Sequence, residues 1–283
     1  MNYQQRAYVG KMFNHGLGYT ILLLTTALLL VPVIWLLLSS LKQDSDYIAW
    51  PINYLPVKWM WSNYRLIFTE SAFVKVSIRT FMLGISVAAI TAATSAMAGY
   101  AFARYQVPGS KKLFILVIAM LIVPGIVLLI PQFIVFARLK LTNTYWPWIL
   151  GAIGGAPFFI FLYRQFFLNF PRELEEAAEI DGCGPFRIFW QIFMPNSKPA
   201  IATVMIFAFN GVWGDYLTPS IYLRGDKTLL GVLMATSFVN PQGKTLVTVS
   251  LAATVLYVLP LVVVFFLAQQ HILKGVVTSG LKG

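Results

Sequence analysis

Long uncharged stretches alternate with short charged or turn-rich ones along this chain. Residues 17–41 contain no Asp, Glu, Lys or Arg between Lys11 and Lys42. Residues 80–103 run between Arg79 and Arg104, 113–137 between Lys112 and Arg138, and 145–163 between Lys140 and Arg164. Residues 200–223 hold one charge, Asp215, and 246–270 are uncharged up to Lys274. A hydrocarbon core of about 30 Å needs roughly 20 apolar residues in a helix rising about 1.5 Å per residue. The pattern predicts an all-α polytopic membrane protein, a single transmembrane domain over 1–283 with six spanning helices. The first stretch exceeds the h-region of a cleaved signal peptide, and Ser39-Ser40-Leu41-Lys42 is a poor cleavage site, so it is read as a retained helix.

The segments between the stretches differ in character. Residues 42–79 are rich in aromatics (Tyr47, Trp50, Tyr54, Trp59, Trp61, Tyr64), which favour the headgroup layer, so this loop is expected to lie along the membrane surface. Residues 164–199 do not read as a plain loop. Glu173, Glu175, Glu176, Glu179 and Asp181 crowd into nine positions and account for five of the chain's ten acidic residues. Pro171 suits the first position of a helix whose early carboxylates complement its positive end, and Gly182 suits a left-handed stop. Ala177 and Ala178 leave a low spot for another surface. Pro185 can start a second helix with Phe186, Phe189, Trp190 and Phe193 on one face and Pro195 closing it. A solvated helix pair would explain the charges, but not the alanine pair, glycine joint and framing prolines together.

Composition narrows the class. The chain is 58% hydrophobic and 11% charged, against about 25% charged in soluble domains. Its net charge of +11 is scattered singly between apolar runs, a pattern of membrane flanks beside anionic lipid and not of a nucleic-acid face. One cysteine, Cys183, and two histidines, His15 and His271, leave no disulfide and little material for a metal centre. No catalytic triad or paired intramembrane carboxylate is present. Gly243-Lys244-Thr245 ends like a phosphate-binding loop, but Phe238 stands where that motif needs its first glycine, so no nucleotide site is assigned.

The run from Phe170-Pro171-Arg172-Glu173 through Glu176-Ala177-Ala178 to Gly182, continuing to Met194-Pro195-Asn196-Ser197-Lys198-Pro199, resembles the Glu-Ala-Ala loop of ABC importer permeases. Gly99-Tyr100-Ala101-Phe102-Ala103-Arg104, Asn143-Thr144, Trp213 to Pro219 and Gly280-Leu281-Lys282-Gly283 are similar to the carbohydrate-type branch, in particular the smaller six-span permease of maltose-type systems. Two departures stand out: Gly214 in place of a common Asn, and Arg79-Thr80 in place of Asn-Ser.

The resemblance implies a cytoplasmic coupling loop over 164–199, with Glu175, Glu176, Ala177, Ala178, Asp181 and Gly182 meeting an ATPase. It implies that this chain is not an enzyme and holds no cofactor, ATP and Mg being bound by the ATPase. Its implied partners are a second permease subunit in a heterodimer, two ATPase subunits, an extracytoplasmic solute-binding protein and membrane lipid, with no nucleic acid. Both termini would be cytoplasmic in the inner membrane, an orientation that the even spread of basic residues does not decide. Asn210 and Asp215 are candidates for the translocation path, and Asn240, Pro241, Gln242 and Gly243 for contact with the binding protein. The implied function is import of a sugar or oligosaccharide by ATP-driven alternating access. Alternatives are a polyol phosphate such as glycerol-3-phosphate, or an ion-gradient-driven secondary transporter. The latter usually needs intramembrane ionisable relays, for which only Asp215 is on offer.

Overall fold

The computed structural model describes residues 3–236, 238–239 and 245–280; within these, the side chains of 3–15, Leu17, Glu70, 267–268 and 270–280 are left aside. Fifteen α-helical segments, with one π-type and one 3-10 turn, account for most of the described chain, and the only β-pairing among the described residues is an isolated bridge between Val239 and Thr245. The chain divides into two compact units, the described residues of 1–71 with 238–258, and those of 72–237 with 259–283.

In the first unit, α1 (Tyr3–Ser40) is followed by the short turns α2 (Asp44–Tyr47) and α3 (Ser62–Glu70). The most apolar stretch of α1 within Gly18–Ser40 is not buried in this chain, as in a helix facing lipid or another subunit, and only Ser39 and Ser40 at its end are buried. At its end the backbone turns and is clasped by side chains. Asn63 donates to the carbonyls of Ser40 and Lys42, each at 2.9 Å. Lys42, almost fully buried, lies 4.2 Å over the Trp35 ring and donates to the Asn53 carbonyl. Asp46 accepts the Val57 amide at 3.0 Å and the Asn53 side chain at 2.5 Å, and these donors hold its carboxyl below the usual carboxylate range. Trp50, Tyr54, Trp59 and Trp61 stay exposed around this clasp. Asp44 Oδ1 accepts the amide of Thr248 at 2.9 Å and its hydroxyl at 2.7 Å, securing the start of the last helix, Val247–Gly280.

The second unit is built on α4 (Phe73–Arg104). After it come α5 (Ser110–Ala119), α6 (Gly125–Arg138), α7 (Trp146–Ile153) and α8 (Pro157–Leu168). Next are α9 (Glu173–Ile180), α10 (Pro185–Ile188), a wider π-type turn at Phe189–Phe193, α11 (Met194–Asn196) and α12 (Lys198–Trp213). The chain continues through α13 (Leu217–Tyr222) and α14 (Leu230–Thr236) to α15 (Val247–Gly280). Helix α4 packs between α8 and α12. It can do so closely because Gly84, Ala88, Thr91, Ala92, Ser95, Ala96 and Gly99 line its buried face. At Gly99 an added Cβ would fall 2.6 Å from Tyr163 Cβ and 3.0 Å from the Arg164 amide nitrogen, so the two backbones nearly touch.

Four helices among the described residues are long and apolar enough to cross a membrane, or five if the two segments meeting at Ser197 count as one bent span. The count of six read from the charges is therefore not reached by continuous helices. The third expected span, 113–137, is interrupted at Pro124, which cannot donate an N–H and adopts extended ψ there. The fourth is among the four as Trp146–Leu168, but it carries a break between Ile153 and Pro157, where Gly155 takes φ +69°. Its freed backbone groups are satisfied by α4: Ser95 Oγ accepts the Ala156 amide at 3.1 Å, and the Thr94 hydroxyl donates to the Ala152 carbonyl at 2.9 Å. The fifth expected span, 200–223, is split between α12 and α13.

Candidate functional site

The acidic segment forms a helical hairpin at the end of α4. The first helix starts at Glu173 with Arg172 before it, so Pro171, the expected first helical position, lies outside it, two residues ahead of the observed start. Glu173, Glu175 and Glu176 occupy its first turn, where they complement the positive helix end. Gly182 stops it at φ +77° as the sequence predicts. The Cys183 amide bonds the Ala178 carbonyl at 2.9 Å and the Gly182 amide the Glu179 carbonyl at 3.0 Å, the two reaches of a Schellman cap.

The two faces of α9 differ. Glu175 and Ala178, three residues apart, turn into the protein, and Ala178 is 6% exposed within a cluster that includes Tyr100, Tyr163, Phe167, Phe189 and Phe193. Glu175 Oε2 lies 3.3 Å from Arg104 Nε, and the side chains are 16% and 7% exposed respectively. That Nε makes an ionic contact without hydrogen-bond alignment; Arg104 directs Nη2 to the carbonyls of Phe167 and Phe170 at 2.9 and 2.8 Å. The Tyr100 hydroxyl donates to Glu175 Oε1 at 3.1 Å, and the Arg104 guanidinium carbon sits 4.9 Å over the Phe193 ring. Both anchors, Tyr100 and Arg104, come from the last turn of α4 and were not singled out as site residues by sequence; the signal was there in their place within the family-like run 99–104.

The remaining expected site residues, Glu176, Ala177, Asp181 and Gly182, are exposed, and with them Ile180 at 86%. The low spot expected at the alanine pair is thus divided: Ala178 is filled by this chain's own core, and only Ala177 is open. The second helix is divided too. Phe189 and Phe193 are buried, whereas Phe186 is 70% exposed and pairs with the exposed Trp190 at 6.2 Å between ring centroids. The π-type turn widens the helix, so these four aromatics do not share one face. Nor does Pro195 close the helix; it lies inside α11, and the bend of 83° into α12 falls at Ser197. Ser197 is fully buried and its hydroxyl donates to the Phe193 carbonyl at 2.6 Å.

At the opposite end of α4 lies a second constellation. Asp215 Oδ1 accepts the Thr218 amide at 3.0 Å and so shapes the turn into α13. Asn210 is exposed on α12. Arg79, the unexplained departure, donates to the carbonyls of Asp226 and Thr228. Thr80 Oγ1 accepts the Leu230 amide at 2.9 Å. Asn143, held at φ +58°, receives the Arg224 amide on Oδ1 at 3.1 Å, and its own amide bonds the Tyr222 carbonyl at 2.8 Å. Lys227 Nζ donates to the Asn143 carbonyl and the Tyr145 hydroxyl to the Lys227 carbonyl, both at 3.0 Å. Asn240, Pro241, Gln242 and Gly243 lie outside the described residues.

Comparison with known proteins gives this geometry its context. Residues 84–278 match the family model described as binding-protein-dependent transport system inner membrane component. The arabinooligosaccharides transport system permease protein AraQ of Bacillus subtilis is 30% identical over 264 residues, covering 92% of this chain and 93% of its own. The maltodextrin transport system permease protein MdxG of the same organism is 29% identical over 280 residues, 98% and 99% of the two chains. The diacetylchitobiose uptake system permease protein NgcG of Streptomyces coelicolor is 30% identical over 268 residues, 94% and 88%. The fold is that of a chain in the crystal structure of a bacterial ABC transporter involved in alginate import, with a TM-score of 0.78 at 20% identity over 95% of this chain and 98% of that one. An anchored Glu-Ala-Ala hairpin on a helical bundle and a match running through most of the sequence lead to one assignment: the chain belongs to the binding-protein-dependent inner-membrane components, the permease subunits of ABC importers, whose ATP hydrolysis belongs to a separate subunit.

Proposed function

We propose that this chain is one permease subunit of an importer for a sugar or oligosaccharide, working by alternating access. The carrying observation is that permeases named for arabinooligosaccharides, maltodextrin and diacetylchitobiose align with it over at least nine-tenths of its length. The hairpin supplies the link to ATP. Its open face offers Ala177, Ile180 and Phe186 between the carboxylates Glu176, Glu179 and Asp181, an apolar contact with a charged rim that a groove on an ATPase subunit would cover. Glu175 and Ala178 serve that contact from behind by fixing the hairpin on α4. Two ATPase subunits would bind ATP and Mg, a second permease would complete the path, and a solute-binding protein would deliver the sugar on the side away from the hairpin. The hairpin then lies in the cytoplasm with both termini. Asp215 is engaged in a turn, which favours Asn210 of the two path candidates.

The test is reconstitution of the assembled transporter in liposomes with its binding protein. Sugar-loaded binding protein should stimulate ATP hydrolysis and drive uptake that continues when ionophores abolish all ion gradients. Uptake that needs a gradient and proceeds without ATP would assign the chain to secondary transport instead.

A further inference from the structure

At the end of the second unit that carries the hairpin lies a half-open cavity of about 520 Å³, formed by residues 105–110, the first turn of α5 and the end of α8. Its charged lining is entirely basic: Lys111, Lys112, Arg164 and Arg172. No Asp or Glu lines it, and the one ion pair among the described residues joins Arg104 to Glu175, so these four cations are not neutralised by carboxylates of their own chain. Arg164 is fixed in place, its Nε donating to the Phe102 carbonyl at 3.2 Å and its guanidinium carbon 4.2 Å over the Phe114 ring. Phe102, Val107 and Leu168 give the cavity an apolar wall. Lys111 and Lys112 open the otherwise apolar helix α5, so the cavity lies where the chain passes from charged surface to lipid-compatible surface. The positive end of α5 adds to the field.

Four like charges around open space repel each other, and an anion between them relieves the repulsion. Guanidinium and ammonium groups suit phosphate oxygens, the former through paired N–H donors. A free phosphate has no use for the apolar wall; a glycerophospholipid does. We propose that this cavity is a phosphate-ester site occupied by the head group of an anionic phospholipid, its glycerol region against Phe102 and Leu168. The assignment rests on the bundle spanning a membrane and not on which solute is carried.

The test uses the assembled transporter in nanodiscs of phosphatidylcholine doped with phosphatidylglycerol, with retained lipid counted by native mass spectrometry after delipidation. Lys111→Gln/Lys112→Gln/Arg172→Gln, all at exposed positions, should lower phosphatidylglycerol retention by about tenfold and leave phosphatidylcholine retention unchanged. A charge-matched control at exposed positions elsewhere, Lys58→Gln/Arg65→Gln/Lys75→Gln, should retain it as the unaltered protein does. Inorganic phosphate and glycerol phosphate at millimolar concentration should not displace the lipid. Equal retention by the cavity variant, or equal loss by the control, overturns the site. Displacement by inorganic phosphate overturns the lipid as its occupant.

Discussion

Replacing Glu175 by Gln keeps the side chain's shape and removes its charge, which isolates what the ion pair contributes to the hairpin. With 7% and 16% exposure, neither Arg104 nor Glu175 can exchange its partner freely for water. Breaking a fully buried pair from one side costs about 3–5 kcal/mol, and an exposed pair is worth about 0–1. Arg104 keeps its bonds to the Phe167 and Phe170 carbonyls and its place over Phe193, so most of its needs are still met. The loss then falls between the two limits, at about 2 kcal/mol, or roughly 30-fold in the equilibrium for opening the hairpin. Hydrogen exchange of the amides in Glu173–Ile180, measured on the detergent-purified protein, reads that equilibrium. Protection there should fall by roughly 30-fold in Glu175→Gln and by no more than about twofold in Glu176→Gln, whose side chain is exposed on the same helix. Equal protection in the two variants would refute the idea that the Arg104 contact holds the hairpin down.

Gly99→Leu should cost about 3 kcal/mol, because its Cβ meets the backbone of α8 and not a side-chain tip, and a thermal melt in detergent unchanged from wild type would contradict that. Gly182 has no atom within 4 Å of a built Cβ, so Gly182→Val should cost about 1–2 kcal/mol through its left-handed φ alone; Asn, which tolerates that region, should cost less, and the reverse order in chemical denaturation would refute a backbone origin. Asp46 has a folded-state pKa below its unfolded one, so its bonds to Val57 and Asn53 stabilise the clasp fully above about pH 4 and less as pH falls through the folded value. Asp46→Asn should flatten the acid limb of a tryptophan-fluorescence titration, and an unchanged limb would rule the clasp out as its source.

Much of this was legible in the sequence because it depends on near neighbours. Uncharged length marked the helices, and Gly182 announced its left-handed stop because glycine takes that φ more readily than any residue with a Cβ. What the sequence hid depends on distant partners. Glu175 and Glu176 are chemically alike and adjacent; only the approach of Arg104, 71 positions earlier, makes one an anchor and the other a surface group. Ala178 looked like a vacancy for another protein because the aromatic cluster that fills it is gathered from three other segments. The spacing of Phe186, Phe189, Trp190 and Phe193 suggested one face, and a single widened turn split it. Arg79 and Thr80 looked anomalous until the loop they hold, about 150 residues away, came beside them.

The bend at Ser197 makes the hairpin's second arm a crank. Pro185–Asn196 spans twelve residues, an arm of about 18 Å at helical rise, set 83° from the axis of α12. A push at the Phe186 end, directed across the arm, reaches Ser197 as torque and not as compression. Turning the arm by about 10° carries its tip about 3 Å, less than one helical turn's pitch of about 5.4 Å. Ser197 is fully buried and its hydroxyl ties the corner to the arm's own Phe193 carbonyl, so under the proposed coupling role a rotation of the arm would be delivered to α12 at that corner.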